Sequence, residues 1–239
     1  AAKADGFAVT DVDGAVIAQE GVDDSTSTEA GATSAATPEP TPVVTEAPEI
    51  EIRVYVDYLS TGSAEFQLAN AAQLSTWVDE GAVSLTYYPV AMLTAKSNGT
   101  KYSLRAAAAS ACVATHASDA FFKFNNALLE QQPDVDADGY SDTELADIAQ
   151  ASGVSNPKVV RACIEDGDFL SWAKKATERA VEEIPDTEGV QLTGTPLVLV
   201  NGSVYVGALD DPKEFAQFVL TIDSDAYYQT SSPTPTPTP

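Results

Sequence analysis

Three hydroxyl residues stand where a strand gives way to a helix. The stretch "VYVDYLSTGSAEF", residues 54–66, predicts an apolar strand, a turn made of Ser60, Thr61, Gly62 and Ser63, and the start of a helix. Free backbone N–H groups and the positive end of the helix dipole meet at such a turn, so many folds place their chemistry there. This turn, however, holds no strong nucleophile, base or metal ligand.

The sequence offers little support for hydrolase chemistry at these serines. A Ser-His-Asp arrangement would have to use His116, the sole histidine of the chain. His116 falls late in a predicted helix, and neither serine lies in the G-x-S-x-G pattern of a nucleophile elbow. Since a general base must reach its nucleophile by a hydrogen bond, we interpret His116 as a solvent-facing side chain.

An acidic stretch, "DVDADGYSDTE", has a spacing that suits calcium. Four of its aspartates stand at positions 1, 3, 5 and 9 of an EF-hand-like loop, namely Asp134, Asp136, Asp138 and Asp142. The bidentate glutamate expected at position 12 is replaced by Leu145, and Glu144 can instead form a helix capping box with Ser141. Calcium binding and a solvated acidic loop are the two interpretations. We favour the loop and expect no metal or other cofactor.

The elements that must position these residues belong to the α/β class. Periodicity predicts, in chain order, a strand at 51–59, a helix, a second strand at 82–90, helices throughout 101–184, a hairpin around Asn201-Gly202 and a last helix. A strand, a helix and a second strand imply a right-handed parallel unit. The order is therefore β-α-β, helices, then β-β-α.

Composition limits the classes of partner. The chain has 239 residues, of which 44% are hydrophobic, enough for a sizeable core. Its formal net charge of −24 should repel phosphate backbones and anionic membrane surfaces, so we expect no nucleic-acid binding. No stretch approaches the roughly 18 to 20 apolar residues that span a bilayer. The chain begins with Ala1 and has no leader, as expected if a signal peptide or N-terminal anchor has been removed.

Proline-rich segments divide the chain. Eight of the 14 prolines lie in "TPEPTPVVTEAPE" and "SSPTPTPTP", which favour extended spacers or tails over a core. We therefore predict an acidic, Thr/Pro-rich segment at 1–49, a domain at 50–226 and a Thr-Pro tail at 227–239. A small hairpin is predicted around Asp13-Gly14 in the first segment.

The motifs resemble those of the DsbA-like branch of the thioredoxin superfamily, particularly its exported actinobacterial forms. The resemblance covers about residues 50–225. "VYVDYL" matches the strand before the active-site turn, "SLRAAAASACVA" and "FFKFNNALLEQQP" match the helical insertion, and "LTGTPLVLVNG" supplies a Gly194-Thr195-Pro196 signature. The resemblance implies a thioredoxin fold with a helical insertion at about 101–184.

In that family a C-P-x-C motif occupies the turn. By the resemblance, Ser60 and Ser63 take the positions of the two redox cysteines and Thr61 that of the usual proline. Disulfide exchange needs a thiolate, whereas a serine hydroxyl stays un-ionised at pH 7. A laboratory Cys→Ser variant would keep the family's central dipeptide, so Thr61-Gly62 favours natural divergence. No catalytic residue is expected.

Two further features are implied by the resemblance. Thr195-Pro196 would be a cis peptide facing the turn, where an extended peptide can add to the exposed backbone edge; alternatively, the cis bond only shapes the next strand. Cys112 and Cys163, an even count, suit either one disulfide or two buried thiols, and the resemblance implies a structural disulfide.

Three functional hypotheses follow. The first is a non-catalytic, extracytoplasmic protein, secreted or attached to the cell envelope, that binds an extended peptide or a protein partner at the former redox turn. The second is a thiol-disulfide oxidoreductase homologue with a substituted active site. The third is a structural cell-surface domain carried on Thr/Pro-rich stalks.

Overall fold

The computed structural model describes residues 5–10, 12 and 50–231. A five-stranded mixed sheet in the order β1-β3-β2-β4-β5 forms its centre. The β2–β3 pair is parallel and the other pairs are antiparallel. The strands are β1 (Phe7–Ala8), β2 (Ile50–Val56), β3 (Val83–Pro89), β4 (Leu197–Val200) and β5 (Ser203–Val204).

Seven α-helices accompany the sheet in the described part of the chain. They are α1 (Thr61–Asp79), α2 (Tyr102–His116), α3 (Phe121–Glu130), α4 (Asp142–Ala151), α5 (Pro157–Asp166), α6 (Leu170–Glu182) and α7 (Pro212–Ser231). Helix α1 connects β2 to β3, and five helices lie between β3 and β4. The predicted α/β order of β-α-β, helices and β-β-α is confirmed. Within the described ranges, no helix combines the length and hydropathy that crossing a membrane requires.

Strand β2 is buried on both faces because a hydrophobic core packs against each side of the sheet. On one face Ile52, Val54 and Val56 join the main core, to which the helices contribute large aromatic side chains including Phe66, Phe121, Phe122 and Phe215. On the other face Tyr55 joins a smaller core with Ile184 and Leu199. This two-sided burial fixes the end of β2, which leads directly into the turn before α1.

A disulfide joins Cys112 of α2 to Cys163 of α5, so the predicted bond is confirmed. Both side chains are buried among the helices. The bond closes a separation of 51 residues within the helical insertion. It connects two helices of the insertion to each other and does not reach the sheet.

The strap, residues 5–10, adds an edge strand that the sequence did not place in the domain. Phe7 lies opposite Tyr87 and Ala8 opposite Thr86 in the β1–β3 ladder. A run of two strand residues is too short to give a periodic signal, so the predicted boundary at residue 50 missed it. At the other end, α7 continues past the predicted boundary at 226. The hairpin predicted around Asp13-Gly14 lies outside the described residues.

Candidate functional site

The site turn, residues 60–63, opens helix α1. Ser60 is the N-cap, with φ −86° and ψ 117°, and its Oγ accepts a hydrogen bond from the Ser63 N–H at 3.4 Å. The same hydroxyl donates to the Thr195 carbonyl oxygen at 2.7 Å. One side chain therefore caps the helix and also joins it to the segment before Pro196.

The backbone of Ser60 is equally well satisfied. Its N–H donates to the Asp57 carbonyl at 3.0 Å. Its carbonyl accepts from the Ala64 N–H at 3.2 Å and from Gln132 Nε2 at 3.0 Å. The residue is only 7% exposed, and its hydroxyl donates to a backbone carbonyl and not to a general base, so no neighbouring group activates Ser60 as a nucleophile.

The other two hydroxyls of the turn face in different directions. Ser63 is buried, and its Oγ accepts from the Asp57 N–H at 3.3 Å. Thr61 is exposed, and among the described residues its hydroxyl has no hydrogen-bond partner. Of these three hydroxyls, therefore, only that of Ser60 is hydrogen-bonded to Thr195.

The cis-Pro segment, residues 193–196, runs beside the turn. The Thr195–Pro196 peptide is cis. A Cβ added at Gly62 would meet Pro196 Cδ at 3.1 Å, Leu209 Cδ1 at 3.2 Å and the Thr195 oxygen at 3.3 Å. The first turn of α1 thus packs closely against this segment, and a residue larger than glycine would have to push it aside.

One edge of the cis-Pro segment is accessible. Thr193 and Gly194 are exposed, and within residues 50–231 the Thr195 N–H has no hydrogen-bond acceptor. Close by, the β4–β5 hairpin continues through a bond from the Tyr205 N–H to the Val198 carbonyl at 2.9 Å. The next residue, Val206, is 89% exposed. The Thr195 N–H and the Val206 side chain therefore lie at the same end of β4, the end that follows the cis-Pro segment.

Asp57 is a buried carboxylate under the turn to which the sequence analysis assigned no role. Its oxygens accept from the Leu59 N–H at 2.9 Å, the Leu93 N–H at 2.8 Å and Ser103 Oγ at 2.7 Å. Burial raises the pKa of Asp57 above its ordinary value, although these hydrogen bonds act in the opposite direction. The sequence feature that could have identified Asp57 is a charged residue at the end of an apolar strand.

Gln132 is a second residue that sequence reasoning missed. It follows α3 in the helical insertion, and its Nε2 donates to the Tyr58 carbonyl at 3.1 Å and the Ser60 carbonyl at 3.0 Å. One side chain of the insertion therefore holds the backbone of the site turn. No local pattern distinguishes Gln132 from the preceding Gln131, since both belong to the same polar stretch.

The acidic loop makes contacts of its own. Glu144 accepts from the Ser141 N–H and Oγ, both at 2.7 Å, which completes the capping box of α4. Asp142 pairs with Arg105 at 2.8 Å. Over the described residues, no group of three or more acidic, histidine or cysteine side chains is arranged to hold a metal ion. Two of the carboxylates that calcium would need therefore have other partners.

The remaining candidates stay apart from the site turn. His116 is the last residue of α2, and in the described part of the chain no hydrogen bond joins it to Ser60 or Ser63. Cys112 and Cys163 are bonded to each other inside the insertion. The structure thus brings Ser60, Ser63 and the Thr195–Pro196 pair together and leaves the histidine and the cysteines elsewhere.

A parallel β-α-β unit, an antiparallel hairpin after a cis-proline and helices between them define a thioredoxin fold of the DsbA-like type. The chain belongs to the thioredoxin family, since the family model described as Thioredoxin matches residues 45–224.

Two solved structures from Mycobacterium tuberculosis are similar. The oxidised form of DsbA has a TM-score of 0.63 and 27% identity and covers 80% of this chain and 93% of its own. The reduced form of the disulfide bond oxidoreductase DsbG has a TM-score of 0.61 and 28% identity, with coverage of 77% and 86%. The class of fold predicted from the sequence is therefore confirmed.

A curated relative is much longer. Serine/threonine-protein kinase PknE of Mycobacterium tuberculosis is 29% identical over 172 residues, which cover 70% of this chain. The match covers 29% of the kinase. The chain therefore spans less than a third of the length of that relative.

Proposed function

We propose that this chain is a non-catalytic, DsbA-like protein that binds an extended peptide, free or as part of a protein partner, at the site turn and the cis-Pro segment. The observation that carries the proposal is the start of α1 beside the cis-Pro segment, which presents Ser60 and Ser63 and no cysteine; by the resemblance, these serines take the positions of the family's redox cysteines. Without sulfur there, the turn cannot form the mixed disulfide on which exchange depends.

The environment of the two serines agrees with a binding role. A redox cysteine must expose its sulfur to an incoming disulfide. Ser60 and Ser63 are instead 7% and 1% exposed and bonded to neighbouring groups. Their hydroxyls serve the shape of the turn.

The cis-Pro segment supplies what strand addition needs. An extended peptide binds a free backbone edge by main-chain hydrogen bonds and gains specificity from neighbouring side chains. The unpaired Thr195 N–H supports the first requirement, and the exposed Val206 supports the second. This kind of binding uses no cysteine.

The disulfide supports an extracytoplasmic setting, secreted or at the cell envelope, and the net charge limits the partners. A disulfide such as Cys112–Cys163 persists in oxidising compartments. A net charge of −24 disfavours nucleic acids and anionic lipid surfaces as partners.

Peptide binding can be tested by fluorescence anisotropy. The probe is a labelled, unstructured peptide of alternating valine and serine, and its control carries methyl groups on the backbone nitrogens. We expect the unmodified peptide to bind and the methylated one to bind at least tenfold more weakly, because strand addition uses peptide N–H donors. The variant V206D should also bind less, at unchanged fold, since this side chain is 89% exposed.

Equal binding of both peptides would contradict strand addition. Failure of every unfolded peptide to bind would overturn the proposal and favour a structural surface domain.

The similarity to DsbA and DsbG favours a second candidate, a disulfide oxidoreductase with a substituted active site. Insulin reduction and oxidation of a dithiol peptide distinguish the two candidates. Turnover by the unmodified chain would overturn the non-catalytic proposal. The variant C112A/C163A is the control, because any turnover that it retains cannot pass through cysteine.

A further inference from the structure

We propose that Ser60 is a latch on the peptide-pairing edge: its hydroxyl occupies the Thr195 carbonyl and weakens the binding of an extended peptide. This inference rests on the proposed function, whose site it describes as partly closed. Ser60 here is a positioning residue, since it acts on the backbone of Thr195.

Strand addition at Thr195 requires both its N–H and its carbonyl. In an antiparallel pair, a hydrogen-bonded residue uses both its N–H and its C=O toward the same partner residue. The N–H of Thr195 is unpaired among the described residues. Its carbonyl already accepts from Ser60 Oγ at 2.7 Å. The N–H half of the pairing unit is therefore free, and the carbonyl half is already engaged by one donor.

Further hydrogen bonds hold the Ser60 side chain in this position. The Ser60 hydroxyl also accepts from the Ser63 N–H at 3.4 Å, so its own proton is directed toward Thr195. Gln132 fixes the Ser60 carbonyl at 3.0 Å. The side chain cannot rotate away without giving up the cap of α1.

There is little space beside Ser60, between the start of α1 and the cis-Pro segment. The position of a Gly62 Cβ would be only 3.1 Å from Pro196 Cδ and 3.3 Å from the Thr195 oxygen. The start of α1 therefore already contacts the cis-Pro segment on the side of the carbonyl. The oxygen has two lone pairs, so an incoming peptide N–H must share it with the Ser60 hydroxyl and reach it past the start of α1.

Removing the hydroxyl should open the edge. We expect S60A to bind the valine-serine peptide about three- to tenfold more tightly, the change that corresponds to one net hydrogen bond. S60G is the second variant, because glycine is tolerated at an N-cap far better than alanine. Loss of structure alone would lower the affinity, so a gain reports the latch.

Two variants serve as controls. In T76A the lost hydroxyl donates to the Ala72 carbonyl at 3.0 Å within α1, away from the turn, so peptide affinity should not change. In S63A the Asp57 N–H loses its acceptor, so stability should fall without a gain in affinity. T76A thus controls for the loss of a hydroxyl from α1, and S63A controls for damage to the site turn. Neither variant frees the Thr195 carbonyl.

A second readout needs no peptide. The carbonyl ¹³C shift of Thr195, measured by NMR, should move in S60A and S60G and stay unchanged in T76A, because only the first two remove its donor. If the shift moves and no peptide binds any variant, the Ser60–Thr195 hydrogen bond exists, but both the latch and the proposed function fail. If peptides bind and S60A and S60G bind no more tightly than the unmodified chain, the latch is wrong and the proposed function stands.

Discussion

Asp57 organises the site at the scale of single residues. Its carboxylate bonds the loop after β3 through the Leu93 N–H and the first turn of α2 through Ser103. Its backbone N–H and carbonyl bond Ser63 and Ser60, respectively. One buried acid therefore connects the end of β2, two neighbouring segments and the site turn.

Because the Asp57 carboxyl is buried, the stability of the fold should depend on pH. The folded-state pKa of Asp57 is raised above its ordinary value of 3.8, chiefly by burial. Its contribution is therefore most favourable below about pH 4 and is lost as the pH rises through the folded-state pKa. We expect the difference in unfolding free energy between the unmodified chain and D57N to be largest in acid and to shrink toward neutral pH.

Urea unfolding of both proteins at several pH values measures this difference directly. D210N, which changes an exposed aspartate without an ion pair among the described residues, is the control for the loss of a carboxylate. A difference that grows with pH would mean that the hydrogen bonds, and not burial, set the pKa of Asp57.

Single residues also show where sequence reasoning ends. Ser60, Ser63 and Thr195–Pro196 could be singled out because turn chemistry and a short signature leave a local mark. Gln132 could not, because its role depends on a contact with Tyr58 and Ser60 across more than 70 positions of sequence. Asp57 left a visible mark, an acid in an apolar strand, but its partners became apparent only in three dimensions.

Helices α2 and α5 illustrate the scale of elements. The Cys112–Cys163 bond closes a 51-residue separation, which on the chain-entropy model stabilises the fold by up to about 4 kcal/mol. We expect C112A/C163A to lower the unfolding free energy by an amount approaching this value, as measured by urea unfolding. Peptide binding at the site turn should survive, since the bond lies within the insertion.

Reduced and oxidised unmodified protein provide the matched comparison for this bond. A loss of unfolding free energy below about 1 kcal/mol, both in C112A/C163A and on reduction of the unmodified protein, would show that packing, rather than the cross-link, holds the two helices together.

The strap gives a second prediction at this scale. The Phe7 ring packs 5.2 Å from Trp172 and 5.6 Å from Phe121, and Asp5 forms an ion pair with Arg179. We expect F7A to destabilise the protein by about 2 kcal/mol, because a partly buried aromatic side chain is lost. Trp172 fluorescence should report the detachment.

A8S is the control for the strap, since Ala8 lies in the same strand with an exposed side chain. Equal stability of F7A and the unmodified chain would show that β1 adds little to the fold. Sequence patterns could not identify β1, because its two residues gain their strand conformation from the edge of β3.

At the scale of the whole molecule, the connection between β1 and β2 has a defined direction. The Val9 N–H bonds the Leu85 carbonyl, and Ile50 lies opposite Val83. The end of β1 and the start of β2 are therefore at the same end of the sheet, on either side of β3. The site turn follows Val56, at the opposite end.

This geometry predicts that residues 13–49 can be shortened. The flanking strands of β3 are about 10 Å apart, a distance that a short glycine-serine linker spans. We expect replacement by eight such residues to preserve both the β1–β3 pairing and peptide binding, because the linker can span the distance between the two strands. Thermal unfolding and anisotropy test this, and loss of the Trp172–Phe7 contact on shortening would contradict it.

The same connection determines how the protein would respond to mechanical load. Tension applied ahead of Asp5 acts along β1 and must shear this short strand from β3 before it reaches the disulfide-bonded helices. Once the strand slips, the load passes to β2 at the centre of the sheet. A force-extension trace should therefore show a separate, low-force event before rupture of the sheet, so that β1 yields before the rest of the fold.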